Sequence, residues 1–217
     1  SRHGVDHSVP PHKVNYRANI WAIKSLGTEE VFATTAVGSI NPEMKAGHFV
    51  VCDNVLDFTK SRISTFYDSP ERGVAHCDFT YPYCPALREK VIKCLEKTDI
   101  TFHKQGVYVC TEGPRFESAA EIKMYAMLGG DLVGMTNMPE SILAREAELC
   151  YTNCSIVTNM AAGISPTPLS HSEVCEAMAQ SIDNMQKLIL AFIAYDEPVE
   201  AKCGCHSCMK EFGGFKL

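Results

Sequence analysis

Four short segments of this chain each set a hydroxyl or amide side chain beside residues small enough to expose backbone N–H groups. They are Thr35-Ala36-Val37-Gly38, Thr111-Glu112-Gly113-Pro114-Arg115-Phe116-Glu117, Gly134-Met135-Thr136-Asn137 and Thr158-Asn159-Met160-Ala161-Ala162-Gly163. Such groups let a polar ligand be held by oriented N–H and O–H donors at close range. A second group sits near the C-terminus, where Cys203-Gly204-Cys205-His206-Ser207-Cys208 offers enough N and S donors for zinc. Its spacing is tight and untypical of zinc sites, so a disordered tail with exposed thiols is the preferred reading. Most of the other cysteines, among them Cys52, Cys94, Cys110, Cys150 and Cys154, lie inside apolar stretches. An odd total of 11 and that placement favour small buried hydrophobes in a reduced compartment over a disulfide scaffold.

The elements that must position these segments alternate. Residues 14–26 place Tyr16, Ile20 and Ile23 at helical spacing and end at Gly27. A strand is expected over 31–36, closed by Gly38-Ser39, and another over 47–55, reached through the Asn41-Pro42 turn. Residues 56–83 have no clean period and read as a long surface loop. Helices are expected over 86–97, 117–128, 140–150 and 170–194, and strands over 106–111, 132–135 and 155–158. Ser170 and Glu173 form a capping-box pattern at the start of the last helix. This order specifies one α/β domain, residues 1–196, with a central mixed and mostly parallel sheet flanked by helices, followed by the Cys-rich tail 197–217. Ligands of such sheets sit at the carboxyl ends of strands, so the four segments are expected to converge on one cleft.

Composition narrows the partners. The 217 residues are 46% apolar, enough for a large core and too apolar for disorder. A net charge of −6 lacks the basic footprint that duplex nucleic acid or an anionic membrane needs. No apolar run reaches the roughly 20 residues of a membrane span, and the first residues lack a signal-peptide core. A soluble, cytosolic protein is expected.

The runs GPRFESAAE (113–121), GGDLVGMTNMPESILAREAEL (129–149) and VTNMAAG (157–163) resemble the trimeric purine nucleoside phosphorylase family, which includes the methylthioadenosine phosphorylases. The resemblance extends from Arg2 to about residue 195, and the N-terminal RHG…NYRANIWA and TTAVGS stretches look like the methylthioadenosine branch. It implies the nucleoside phosphorylase fold and phosphorolysis, in which orthophosphate attacks C1′ of a purine nucleoside to release the base and ribose 1-phosphate. It assigns phosphate to Arg2, His3, Thr35, the backbone N–H of Ala36, and Thr136. Phe116 and Met135 would line base and ribose, and His76 would reach the 5′ pocket of an adjacent subunit of a homotrimer, which pairs into a hexamer in one alternative. Family members carry a strand and a glycine-rich phosphate loop ahead of the RHG motif, an element expected to lie outside the sequence as given.

Hydrogen-bond polarity decides the base. A 6-oxopurine presents O6 as acceptor and N1–H as donor, and a 6-aminopurine presents the opposite pair. By the resemblance, the adenine branch carries acids where this chain has Asn159 and Ala161, and no acid where it has Glu117. The Asn159 amide can donate to O6 and accept from N7–H, and Glu117 can accept from N1–H. Taken alone, Glu117 would be a helix cap; with Asn159 it points to inosine and guanosine. His171 resembles the histidine that binds a 5′-hydroxyl, where a methylthio site would carry an apolar group. The expected catalytic set is therefore Asn159, Glu117 and His171, with no metal and no cofactor beyond orthophosphate as co-substrate. A methylthioinosine or methylthioadenosine phosphorylase, a hydrolytic nucleosidase and a thiol- or metal-binding protein are the alternatives.

Overall fold

The strand that carries Asn159 is the longest of the described strands and is buried over nearly its whole length, although Thr152, Asn153, Ser155 and Thr158 lie in it. A computed structural model describes residues 1–164, the backbone of 171–174, and residues 175–217. Its strands are β1 (Glu30–Ser39), β2 (Phe49–Val51), β3 (Asn54–Phe58), β4 (Phe102–His103), β5 (Val107–Thr111), β6 (Leu132–Gly134) and β7 (Cys150–Met160). The helices are α1 (Tyr16–Ser25), α2 (Pro85–Leu95), α3 (Ala119–Met127), α4 (Glu140–Glu146) and α5 (His171–Ile193). All seven strands join in one mixed sheet of order β3-β5-β6-β1-β7-β2-β4. The pairs β3/β5, β5/β6, β1/β7 and β2/β4 are parallel, whereas β1/β6 and β2/β7 are antiparallel. The single α/β domain expected from the alternation is what the chain forms.

The expected strand over 47–55 is two strands. Only Cys52 and Asp53 separate β2 from β3, yet these strands stand near opposite ends of the sheet order. Residues 104–106 link β4 to β5 across the same gap. Two or three residues span no more than about 10 Å, so the sheet must curl until its ends approach each other. Backbone and side chain of Asp53 seal the seam: Asp53 N–H donates to Gly106 O (3.3 Å) and Gly106 N–H to Asp53 Oδ1 (2.8 Å).

Helices cover the curled sheet on distinct sides. Val14, Tyr16 and Ile20 at α1, with Leu143 and Ala144 of α4, pack on Ala33 and Val37 of β1. Val91, Cys94 and Leu95 of α2 and Met185 and Leu188 of α5 cover Phe49, Val51, Cys154 and Ile156. Ile122 and Tyr125 of α3 meet Val109 and Val133. Residues 56–83 are less irregular than expected at their start, since β3 runs on to Phe58. Helix α4 stops at Glu146 because Glu148 takes a positive φ of 55° before β7 begins. The capping pattern at Ser170 and Glu173 lies outside the described residues and side chains.

The C-terminal segment is packed, contrary to the expected disordered tail. Phe215 meets Trp21 and Phe66 at ring-centroid distances of 5.8 and 5.1 Å, and Met209 and Cys205 are buried. Glu148 accepts from the backbone N–H of Met209 and Phe215, both at 3.1 Å, and Glu89 from those of Glu200 and Ala201. No helix among the described residues is long and apolar enough to cross a membrane.

Candidate active site

A cavity of about 850 Å³ opens where β1, β5, β6 and β7 end, lined by all four of the segments singled out in the sequence. Of the expected site residues, Arg2, His3, Thr35, Ala36, Phe116, Glu117, Met135, Thr136 and Asn159 line it together. His76 does not: it is exposed in the loop between β3 and α2. His171 is the first residue of α5 and its side chain lies outside those described, but Cys175 and Met178, four and seven positions on, line the cavity.

Asn159 owes its place to an irregularity. β1 and β7 run in register from Glu30↔Cys150 to Val37↔Val157, then shift so that Gly38 faces Asn159. Thr158 is the extra residue, and a bulge of this kind re-aims the side chains beside it. The Thr158 hydroxyl lies 2.7 Å from Asn159 Oδ1 and 3.1 Å from Val37 O, and Asn159 Nδ2 donates to Met160 O at 3.0 Å. That leaves the amide one N–H and one carbonyl lone pair. Gly38 lets the two strands approach closely here, since a Cβ would come within 3.3 Å of Val133 and 3.4 Å of the Asn159 amide nitrogen.

Glu117 does not cap α3. Ser118 does, accepting from Glu121 N–H while Glu121 accepts from Ser118 N–H in a capping box. Glu117 Oε1 instead accepts from the Thr111 hydroxyl at 2.6 Å, which turns the carboxylate back toward the end of β5. Gly113 sits between them at φ 65°, where a Cβ would lie 2.6 Å from Met135 Sδ. The turn therefore needs glycine both for its backbone angle and for the thioether wall. Phe116 is 40% exposed, an aromatic face on the cavity rim.

On the opposite side, His3 Nδ1 donates to Val9 O at 2.7 Å, because a carbonyl only accepts. Its Nε2 is then the nitrogen available to a ligand. The Thr35 hydroxyl lies among the Asn153 amide (Nδ2 at 3.2 Å, Oδ1 at 3.3 Å) and the Ser155 hydroxyl (2.9 Å), which fix it at the cavity wall. Arg2 is held by a partner that sequence reasoning missed. Its Nε and Nη2 donate to the two oxygens of Glu140 at 2.7 and 2.6 Å, and Nη1 to Thr34 O at 3.0 Å. Burial favours loss of the Arg2 proton, but the charge and hydrogen bonds of Glu140 outweigh it and hold the guanidinium charged. Glu140 also accepts from Tyr151 (2.8 Å), Tyr151 from Asn137 Nδ2 (3.1 Å), and Asn137 Oδ1 from Tyr83 (2.6 Å). This buried line runs from the cavity floor to the residue before Cys84. Burial pushes the Tyr83 and Tyr151 hydroxyls well up, so both remain donors. A carboxylate 138 positions from its arginine leaves no local pattern in the sequence.

A curled α/β sheet whose strand ends gather an arginine, hydroxyls, an amide and an aromatic face around one cavity is the framework of a small-molecule enzyme. The chain matches the Phosphorylase superfamily over residues 1–194 and belongs to it. It is 55% identical over 215 residues to the 6-oxopurine nucleoside phosphorylase of Pyrococcus furiosus, covering 97% of this chain and 81% of that protein. It is 47% identical over 209 residues to the probable S-methyl-5'-thioinosine phosphorylase of Methanocaldococcus jannaschii, covering 96% and 81%. Among solved structures, methylthioadenosine phosphorylase from Schistosoma mansoni in complex with adenine superimposes with a TM-score of 0.85 at 32% identity, covering 90% of this chain and 77% of that one.

Proposed function

We propose that this chain is a purine nucleoside phosphorylase that cleaves inosine and guanosine with orthophosphate, giving the free base and ribose 1-phosphate. The observation that carries this is the spare capacity of Asn159, one N–H and one lone pair, beside Ala161 rather than an acid. That pair matches O6 and N7–H of the leaving 6-oxopurine base; the intact nucleoside, which has no proton at N7, meets only the N–H at O6. Glu117, held by Thr111, accepts from N1–H. The relatives at 52–56% identity carry 6-oxopurine nucleoside phosphorylase names, which supports the same substrate class.

Phosphate occupies the side formed by Arg2, His3, Thr35, the Ala36 backbone and Thr136. The bond to N9 breaks early, the sugar gains oxocarbenium character, and negative charge flows into the purine, where the Asn159 N–H meets it at O6. The bound phosphate neutralises the ribosyl cation and then bonds to C1′. Rate enhancement comes from positioning and preorganised dipoles; the chemistry calls for neither a metal nor an organic cofactor. His171 takes the 5′-hydroxyl, and His76 completes the pocket of a neighbouring subunit in a homotrimer. Eleven cysteines suit a reducing, cytoplasmic setting.

The test is the double variant Asn159→Asp/Ala161→Asp, assayed as kcat/KM on inosine and adenosine with and without orthophosphate. Two mispaired buried groups at roughly 1–3 kcal/mol each shift the preference toward adenosine by a factor on the order of 10³. An unchanged preference for inosine would overturn the pocket assignment, and phosphate-independent cleavage would make the enzyme a hydrolase. The methylthioinosine relatives favour a second reading of the 5′ end alone; faster turnover of 5′-methylthioinosine than of inosine by the wild type would establish it.

A further inference from the structure

The tail thiols meet two thiols of the body. Cys84 is the residue immediately before α2 and Cys150 the first residue of β7, while Cys203 and Cys205 come from the C-terminal segment. The sulfur atoms of these four all lie within 4.8 Å of one another, and Cys150 and Cys203 are 3.6 Å apart. A tetrahedral thiolate site with metal–sulfur bonds of about 2.3 Å has sulfur–sulfur edges of about 3.8 Å. The cluster is therefore within a few tenths of an ångström to one ångström of that shape without any backbone rearrangement. We propose that Cys84, Cys150, Cys203 and Cys205 form a closed, structural site for a soft divalent cation of the zinc class.

The surroundings fit such a site. Cys84, Cys150 and Cys205 are buried in an apolar group with Leu87, Ala86 and Phe192, and Cys203, the exposed member of the four, closes the fourth position. Four thiolates and a divalent ion carry a net charge of −2, and a cation stands ready: Arg145 Nη1 donates to Cys205 Sγ at 3.3 Å. Neighbouring donors are already engaged elsewhere. Cys208 Sγ donates to Arg145 O at 2.9 Å, and His206 Nδ1 to Glu148 O at 3.1 Å, leaving its Nε2 3.5 Å from Cys150 Sγ as an outer contact. Binding forms four metal–sulfur bonds and releases the thiol protons to solvent, so the apparent affinity falls as pH drops. Cys150 and Asn159 begin and nearly end the same strand, nine residues or roughly 30 Å apart. The site is thus a clamp on the C-terminal segment and has no part in phosphorolysis.

The experiment is metal analysis of the full chain, purified in reductant without chelator after growth with added zinc, and again after replacement of zinc by cobalt(II). The expected result is roughly one zinc per chain, and intense thiolate-to-cobalt charge-transfer absorption in the cobalt form. Cys203→Ser/Cys205→Ser abolishes both, whereas Cys208→Ser and His206→Ala keep them. Removing the zinc from the wild type lowers its melting temperature and exposes the C-terminal segment to protease, with phosphorolysis of inosine retained at low temperature. The proposal is overturned if the reduced wild type takes up no zinc, or if the double serine variant binds as much as the wild type. It is equally overturned if non-reducing mass spectrometry finds these four sulfurs as disulfides in the freshly purified protein. Should the serine variant fail to fold, the stoichiometry and cobalt spectrum of the wild type decide.

Discussion

The two ends of β7 put the same strand to opposite uses. At its first residue, Cys150 is enclosed with three other thiols, apolar side chains and one arginine, and the surrounding donors are committed to one another. At the far end, Asn159 keeps part of its hydrogen-bonding capacity and faces a cavity, with Thr158 and Met160 using the rest. A closed polar cluster stabilises the fold; an incompletely satisfied one, held rigid by its neighbours, is where a ligand gains most by arriving. Polarity alone does not separate the two ends. What separates them is whether the groups have finished pairing.

Removing a partner at the open end should give the largest effect. Glu140→Ala leaves Arg2 and Tyr151 without their acceptor, costing about 3 kcal/mol of stability, read as a lowered urea midpoint at constant slope. Phosphate KM rises in the same variant, because the guanidinium loses its fixed orientation. Next, Glu117→Gln keeps the shape but weakens the acceptor proposed for N1–H, and kcat/KM for inosine should fall about 10–100-fold with little change in unfolding. Thr158→Val acts one step further out: the Asn159 amide loses a hydrogen bond, and inosine turnover drops by about 5-fold. Equal losses on all purine nucleosides in the two latter variants would show general distortion instead of lost base recognition.

The smallest effect belongs to the closed end. Glu89 is held at about 2, below its ordinary 4.5, by the backbone N–H of Glu200, then by Lys93 and the Ala201 N–H. A carboxyl lowered on folding stabilises above its free value, and that contribution disappears as pH falls from 4.5 toward 2. Hydrogen exchange over residues 197–201 should therefore quicken between about pH 5 and pH 3 once intrinsic rates are divided out. Glu89→Gln should flatten that dependence. If it persists, other groups hold the segment in place.

Much of the cavity end was legible in the sequence because each piece is local. Small residues after an apolar run mark a strand end, and the GPRFE, TNMPE and TNMAAG segments carry their own turns. Long-range relations were not legible. β7 was expected only over 155–158, because Thr152 and Asn153 break the apolar pattern ahead of it; in the fold Asn153 and Ser155 bond to Thr35 and to Cys52. The Cys-rich tail looked disordered since its partners, Cys84 and Cys150, are more than 50 positions away. Spacing alone would make Glu117 a helix cap, and its pairing with Asn159 was the reason to place it in the pocket instead; the cap of α3 is the next residue, Ser118.

The buried line Tyr83–Asn137–Tyr151–Glu140–Arg2 joins the neighbourhood of Cys84 to the cavity floor, and its second member, Asn137, sets what it can carry. An amide accepts through oxygen and donates through nitrogen, and the two cannot exchange roles without turning the whole group in a packed interior. With Asn137 in place, every donor on the line points toward Glu140, and no proton can be handed along it. The line is a strut and not a wire. What reaches Arg2 from the far end of the molecule is a fixed position, so the geometry of the cavity floor is set partly by the packing beside α2.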